Sequence, residues 1–77
     1  MQTLPLRFSK RELEVLQLVA GGKTSREIAG QLFVSLQTVE SHRKNMIRKA
    51  GVRNMSAVIV LAIQNGIIST HNHDVAA

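Results

Sequence analysis

Seventy-seven residues make one small domain, and its 44% hydrophobic content excludes a generally disordered chain. Cysteine is absent, so disulfides and thiolate metal sites are excluded, and no 18-residue apolar run is present to span a membrane. The formal charge is +5, and Arg43, Lys44, Arg48, Lys49 and Arg53, half of all the basic residues, share one window with no acid, which favours a polyanionic partner.

Residues 1–8 read as an N-terminal arm. Pro5 discourages a helix there, and Leu4, Leu6 and Phe8 alternate as if to pack against the domain. Ser9-Lys10-Arg11-Glu12 fits a capping box, in which serine and glutamate each satisfy the other's backbone donor, and it opens the first helix. Leu13, Leu16, Val19 and Ala20 form the expected buried stripe, widened by Val15 and Leu18, and Gly21-Gly22 ends the helix.

Thr24-Ser25-Arg26-Glu27 repeats the capping pattern and starts a helix with Ile28, Ala29 and Leu32 on its apolar side. Residues 33–35 form the turn. Phe33 and Val34 are expected to plug the gap between helices, Gly30 to permit close packing, and Ser35 to cap the next helix. The third helix spans about 36–49. At about 100° per residue, Val39, Met46 and Ala50 point one way, with Leu36 and Ile47 at the edge of that seam. Gln37, Ser41, Lys44 and Arg48 fall on the opposite side, flanked by Glu40 and Asn45, and Gly51 stops the helix. Asn54 caps a fourth helix running to about Asn65, with Gly66 as its stop.

A short helix, a tight turn and a longer basic helix form the unit that sets a reading helix in the DNA major groove. Gln37 and Thr38 lie in the first turn of the third helix, where free N–H groups and the helix dipole favour phosphate. Lys44 and Arg48 extend that footprint. Lys44 suits guanine acceptors, Glu40 can accept from cytosine N4, and Ser41 is small enough to let the helix approach. Glu40 also stands one turn before Lys44, so an intrahelical ion pair would explain it equally. The assigned base contacts are Glu40, Ser41 and Lys44; the assigned backbone contacts are Thr24, Gln37, Thr38 and Arg48. Arg43 lies nearer the core seam and is a candidate partner for Glu12, tying the first helix to the third. His42 reads as a packed structural histidine.

The fourth helix carries Ala57-Val58-Ile59-Val60-Leu61-Ala62-Ile63, apolar on nearly every side. Such a run is either the central helix of a very small core or a surface covered by a second copy, with Val58, Leu61 and Ala62 at the contact. No metal site or cofactor is expected: His71, His73 and Asp74 lie in a polar tail over 68–77, expected to be flexible and without a ligand framework. No catalytic motif is present, so no enzymatic activity is expected.

At these residues the chain resembles the LuxR-type, or NarL/FixJ-type, DNA-binding domain. The likeness runs from about Leu6 to Ile67. It rests on Ser9, Arg11-Glu12, Glu14-Val15-Leu16, Leu18 and Gly22, then Glu27-Ile28-Ala29 and Leu32. It is strongest through Ser35, Thr38-Val39-Glu40, His42-Arg43, Asn45-Met46, Lys49 and Gly51-Val52. The resemblance implies an all-α, compact four-helix helix-turn-helix domain over 9–67 that reads double-stranded DNA as a transcriptional regulator. Glu40, Ser41 and Lys44 match its base-contacting positions, and Thr38 matches a phosphate-contacting one. It further implies a homodimer through the fourth helix, a cytoplasmic setting, and RNA polymerase as a further partner. Such a domain is commonly the output module of a response regulator in a two-component system, behind a receiver or sensor domain that these residues do not contain. Two departures stand out: Glu40 where some relatives carry lysine, and Ala50 where leucine often precedes the glycine. The competing readings are an adaptor or antagonist that offers its basic face to an acidic protein, and a sigma-factor-like promoter reader.

Overall fold

A computed structural model describes residues 7–68. Four helices follow in order: α1 (Lys10–Ala20), α2 (Ser25–Leu32), α3 (Leu36–Ala50) and α4 (Met55–Gln64). No strand occurs among the described residues. The expected arm residues 1–6 and the tail residues 69–77, with His71, His73 and Asp74, lie outside that range. Phe8 and Ile68, at the two ends of the described segment, both pack against the core.

Local chemistry sets the helix starts. Ser9 and Thr24 each accept from the backbone N–H three residues on, while Glu12 and Glu27 reach back to the cap N–H, completing both expected boxes. Ser35 and Asn54 cap α3 and α4 through Thr38 N–H and Ala57 N–H. α3 ends where Gly51 takes the left-handed conformation at φ 69°. Asn65 closes α4, one residue earlier than expected, and Gly66 follows in the left-handed region.

α3 is the hub and contacts all three other helices. Val15, Leu16, Ile28, Val39, Met46 and Val58 are fully buried around it. Each such side chain is worth about 1.5–3 kcal/mol of transfer free energy, so α3 is held on one side by most of the core. The stripe of α1 differs from the expected one. Glu12, Val15 and Leu16 are its buried residues, whereas Leu13, Leu18, Val19 and Ala20 are half-buried. The face is rotated because a carboxylate occupies a stripe position, which apolar periodicity alone does not count.

Two other expectations are corrected. Phe33 does not plug the interhelical gap: it is 93% exposed and closes α2 in a left-handed conformation at φ 60° and ψ 43°. Val34 takes the inward role; its N–H returns to the Ala29 carbonyl at 3.0 Å and its side chain packs against the core. Nor does Gly30 serve close packing, since it is exposed and a Cβ there would meet nothing within 4 Å. The small buried residue of α2 is Ala29, 7% exposed.

Candidate nucleic-acid interface

The outer side of α3 follows from its inner side. Val39 and Met46 are buried and Ala50 and Ile47 half-buried, so Gln37, Ser41, Lys44 and Arg48 are turned outward, and all four are exposed. Glu40 is exposed beside them, and Thr38 is half-buried at the first turn. The proposed base-reading residues Glu40, Ser41 and Lys44 therefore share one surface with Gln37 and Arg48, while Thr38 lies at its flank. Thr24, also exposed, lies at the start of α2.

The intrahelical pair considered for Glu40 is not formed. Among the described residues the ion pairs are Arg11–Glu14 at 3.2 Å and Lys49–Glu12 at 2.7 Å. Among the described residues neither Glu40 nor Lys44 has an ion-pair partner.

The second pair corrects the sequence reading. Lys49, not Arg43, ties α3 to α1. Its Nζ donates to Glu12 Oε1 and to the Arg7 carbonyl at 3.2 Å. The same Oε1 accepts from Ser9 N–H at 2.8 Å. Glu12 stands at the start of α1 beside the C-terminal end of α3; Arg43 is six residues, about 9 Å, further up that helix. Burial pushes the Glu12 carboxyl up, but the Lys49 hydrogen bond, the Ser9 N–H and the charges of Lys49 and His42 together outweigh it and hold the group below its ordinary value. Lys49 is thus spent on the fold and leaves the cationic footprint. Arg43 and His42 are half-buried at the edge of the seam.

The helix starts differ in charge. In α2, Glu27 Oε1 accepts from Thr24 N–H at 2.9 Å, and that bond holds its carboxyl below the ordinary value. α3 has no acid in its first turn. Thr38 occupies the corresponding position, with its hydroxyl 2.9 Å from the Ser35 hydroxyl. Arg48 and Lys49 lie in the last turn of α3, where they complement the opposite end of the dipole. An external anion at the start of α3 therefore meets donors and partial positive charge with no carboxylate in that turn.

The family model described as bacterial regulatory proteins, luxR family, matches residues 6–62. The chain belongs to that family. Its four helices are the helix-turn-helix DNA-binding domain of such transcriptional regulators, which are not a class of enzymes. The chain is 44% identical over 61 residues to an uncharacterized transcriptional regulatory protein of Bacillus subtilis, YxjL, covering 79% of this chain and 28% of that protein. It is 40% identical over 61 residues to the oxygen regulatory protein NreC of Staphylococcus aureus, with the same coverage of 79% and 28%. Among solved structures, Escherichia coli SdiA superposes with a TM-score of 0.83 at 44% identity, covering 88% of this chain and 29% of that one. The response regulator ChrA of a heme-sensing two-component system superposes at 0.74 with 38% identity, covering 88% and 32%. The chain spans less than a third of the length of these relatives. No described helix is long and apolar enough to cross a membrane.

The expected dimer residues fall on both sides of α4. Val58 and Ala62 are fully buried in the domain's own core and have no surface to lend a partner. Leu61 is half-buried, and the exposed apolar positions are Val60, at 52%, and Ile63, at 37%. A run without polar residues carries no phase from which to read that outer face in the sequence.

Proposed function

We propose that this domain binds double-stranded DNA sequence-specifically, with the first turns of α3 in the major groove, and that two copies bind together. The observation that carries the reading is the outer face of α3: Gln37, Ser41, Lys44 and Arg48 are exposed together beside a helix start free of acid. Gln37, Thr38 and Arg48 take backbone phosphates and set the register. Thr24 adds a weaker contact at the start of α2, with Lys23 and Arg26 exposed near Glu27 to offset that carboxylate. Lys44 donates to guanine acceptors. Glu40, a carboxylate with no cation paired to it among the described residues, would repel phosphate, so its place is against a cytosine amino group. The second copy packs against Val60, Leu61 and Ile63. That patch is small, so dimerisation is weak alone and is strengthened on a palindromic site. A cytoplasmic setting follows from the partner.

Selection of bound genomic fragments by the purified domain tests the reading. The expected motif is an inverted repeat whose half-sites lie about one helical turn apart. On that motif Lys44→Ala should cost about 1–3 kcal/mol of affinity and relax the preference for guanine. Unchanged affinity and preference would remove Lys44 from the base contacts. Failure of the unaltered domain to hold any duplex at low salt would return the basic face to an acidic protein partner. Ile63→Glu should convert cooperative two-site binding to independent half-site binding, read as a loss of cooperativity in gel-shift titrations. Persistent cooperativity would move the dimer contact elsewhere.

A further inference from the structure

Among the described residues, the outward face of α3 contains one side-chain hydrogen bond that neither caps the helix nor holds the fold: Arg48 Nη2 donates to Asn45 Oδ1 at 2.9 Å. Arg48 is exposed, while Asn45 is half-buried at the flank of the same face. A free arginine on a helix surface must surrender much of its rotamer freedom when it grips a phosphate, and that loss opposes binding. An acceptor three residues earlier, itself restrained by partial burial, fixes part of the guanidinium in advance. The guanidinium has five N–H donors in a planar fork, so one bond to Asn45 leaves four for phosphate oxygens.

The acceptor's charge matters as much as its position. Lys49 is held by the Glu12 carboxylate, so its charge is largely consumed within the domain. Arg48 is held by a neutral amide and keeps its full charge for an outside anion. The two neighbouring basic side chains are both restrained, one to serve the fold and the other to stay available.

We propose that Asn45 is a positioning residue: its amide oxygen orients the Arg48 guanidinium for a DNA phosphate without touching DNA itself. The proposal rests on the DNA-binding reading above. It predicts that Asn45 matters to binding only through Arg48.

The test is equilibrium binding of the purified domain to a duplex carrying its selected motif, over a range of salt concentrations. The proteins are unaltered, Asn45→Ala, Arg48→Ala and the double variant. Alanine favours a helix at least as well as asparagine, and the thermal midpoint of each variant checks folding. Asn45→Ala should weaken binding about three- to tenfold, in keeping with freeing one long side chain that binding must then immobilise. The salt slope should stay unchanged, because no charge is lost. Arg48→Ala should lower the slope by about one phosphate contact. The double variant should bind like Arg48→Ala alone. An Asn45→Ala loss of equal size in both backgrounds overturns the proposal, as does no loss at all. If the unaltered domain binds no duplex at low salt, the DNA reading itself falls. A lower slope in Arg48→Ala with an additive Asn45 effect removes only the positioning role.

Discussion

The first turns of α2 and α3 rest on the same cap and end with opposite character. Thr24 and Ser35 each accept a hydrogen bond from the N–H three residues on, at 3.1 and 3.0 Å. In α2 that third residue is Glu27, whose carboxylate folds back on the cap; α1 repeats the arrangement with Ser9 and Glu12. In α3 it is Thr38, which meets only the Ser35 hydroxyl. Two helix starts thus carry an anion of their own, whereas the start of α3 carries none. A capping box and a phosphate site compete for the same few N–H groups, so a helix start that binds forgoes the stabilisation that its neighbours take.

The sharpest way to break this comparison is to make α3 resemble α2. Thr38→Glu would complete a capping box with Ser35 and put a carboxylate where phosphate is proposed to sit. Stability should hold or rise by about 0.3–1 kcal/mol, since an acid in the first turn suits the dipole. DNA affinity should fall about a hundredfold, or about 2.7 kcal/mol, through a lost contact and like-charge repulsion. Denaturant titration and duplex binding measured on the same sample would separate the two effects. Unimpaired binding would mean that the start of α3 does not face phosphate.

A second contrast lies between Lys49, held by Glu12, and Lys44, five residues earlier on the same helix and proposed to read guanine. Lys49→Ala would strand the Glu12 carboxylate, itself only 4% exposed, without its cation. The expected cost is about 2 kcal/mol in urea unfolding at neutral pH, below the range for fully buried pairs because Lys49 remains 36% exposed. Lys49→Ala should leave the salt slope and the base preference of DNA binding unchanged, whereas Lys44→Ala should relax the preference for guanine. The pH dependence follows from the depressed Glu12 carboxyl. Its contribution is complete above the ordinary value of 4.5 and is lost as pH falls through the lower folded value. The stability gap between the unaltered and Lys49→Ala proteins should therefore close in acid. A gap that persists there would assign the effect to packing of the lysine stem instead.

The fold was legible wherever its cause was local. Both capping boxes, the Ser35 and Asn54 caps and the Gly51 stop follow from hydrogen-bond chemistry within three or four residues. The exposed side of α3 was legible because its apolar residues have a clear helical phase. What depended on contacts distant in sequence was not. Glu12 was given a basic partner on α3, but which of the basic residues reached it depended on how α1 crosses α3. The outer face of α4 could not be chosen from a run in which every residue is apolar. Phe33 was misplaced because an aromatic in a tight turn reads as core, whereas the backbone geometry of the turn decided where its ring went.

Phe33 also supports the last comparison, between the ends of α2 and α3. Both helices close on a left-handed residue, Gly51 at φ 69° and Phe33 at φ 60°. Glycine takes that conformation freely, while an L-residue with a side chain pays about 1–2 kcal/mol for it. The 93% exposed ring recovers little of this by burial. Phe33→Gly removes the strain but gives the unfolded chain more freedom, about 0.5–1 kcal/mol. The net expectation is a small gain, about 0.5 kcal/mol in urea unfolding, with α2 and α3 unchanged by circular dichroism. A loss of 1 kcal/mol or more would show that the ring supports the turn through contacts that its exposure does not suggest. If the gain appears, α2 closes with a residue that does not serve stability, and binding assays on the same variant would then ask what an aromatic side chain does at the turn before α3.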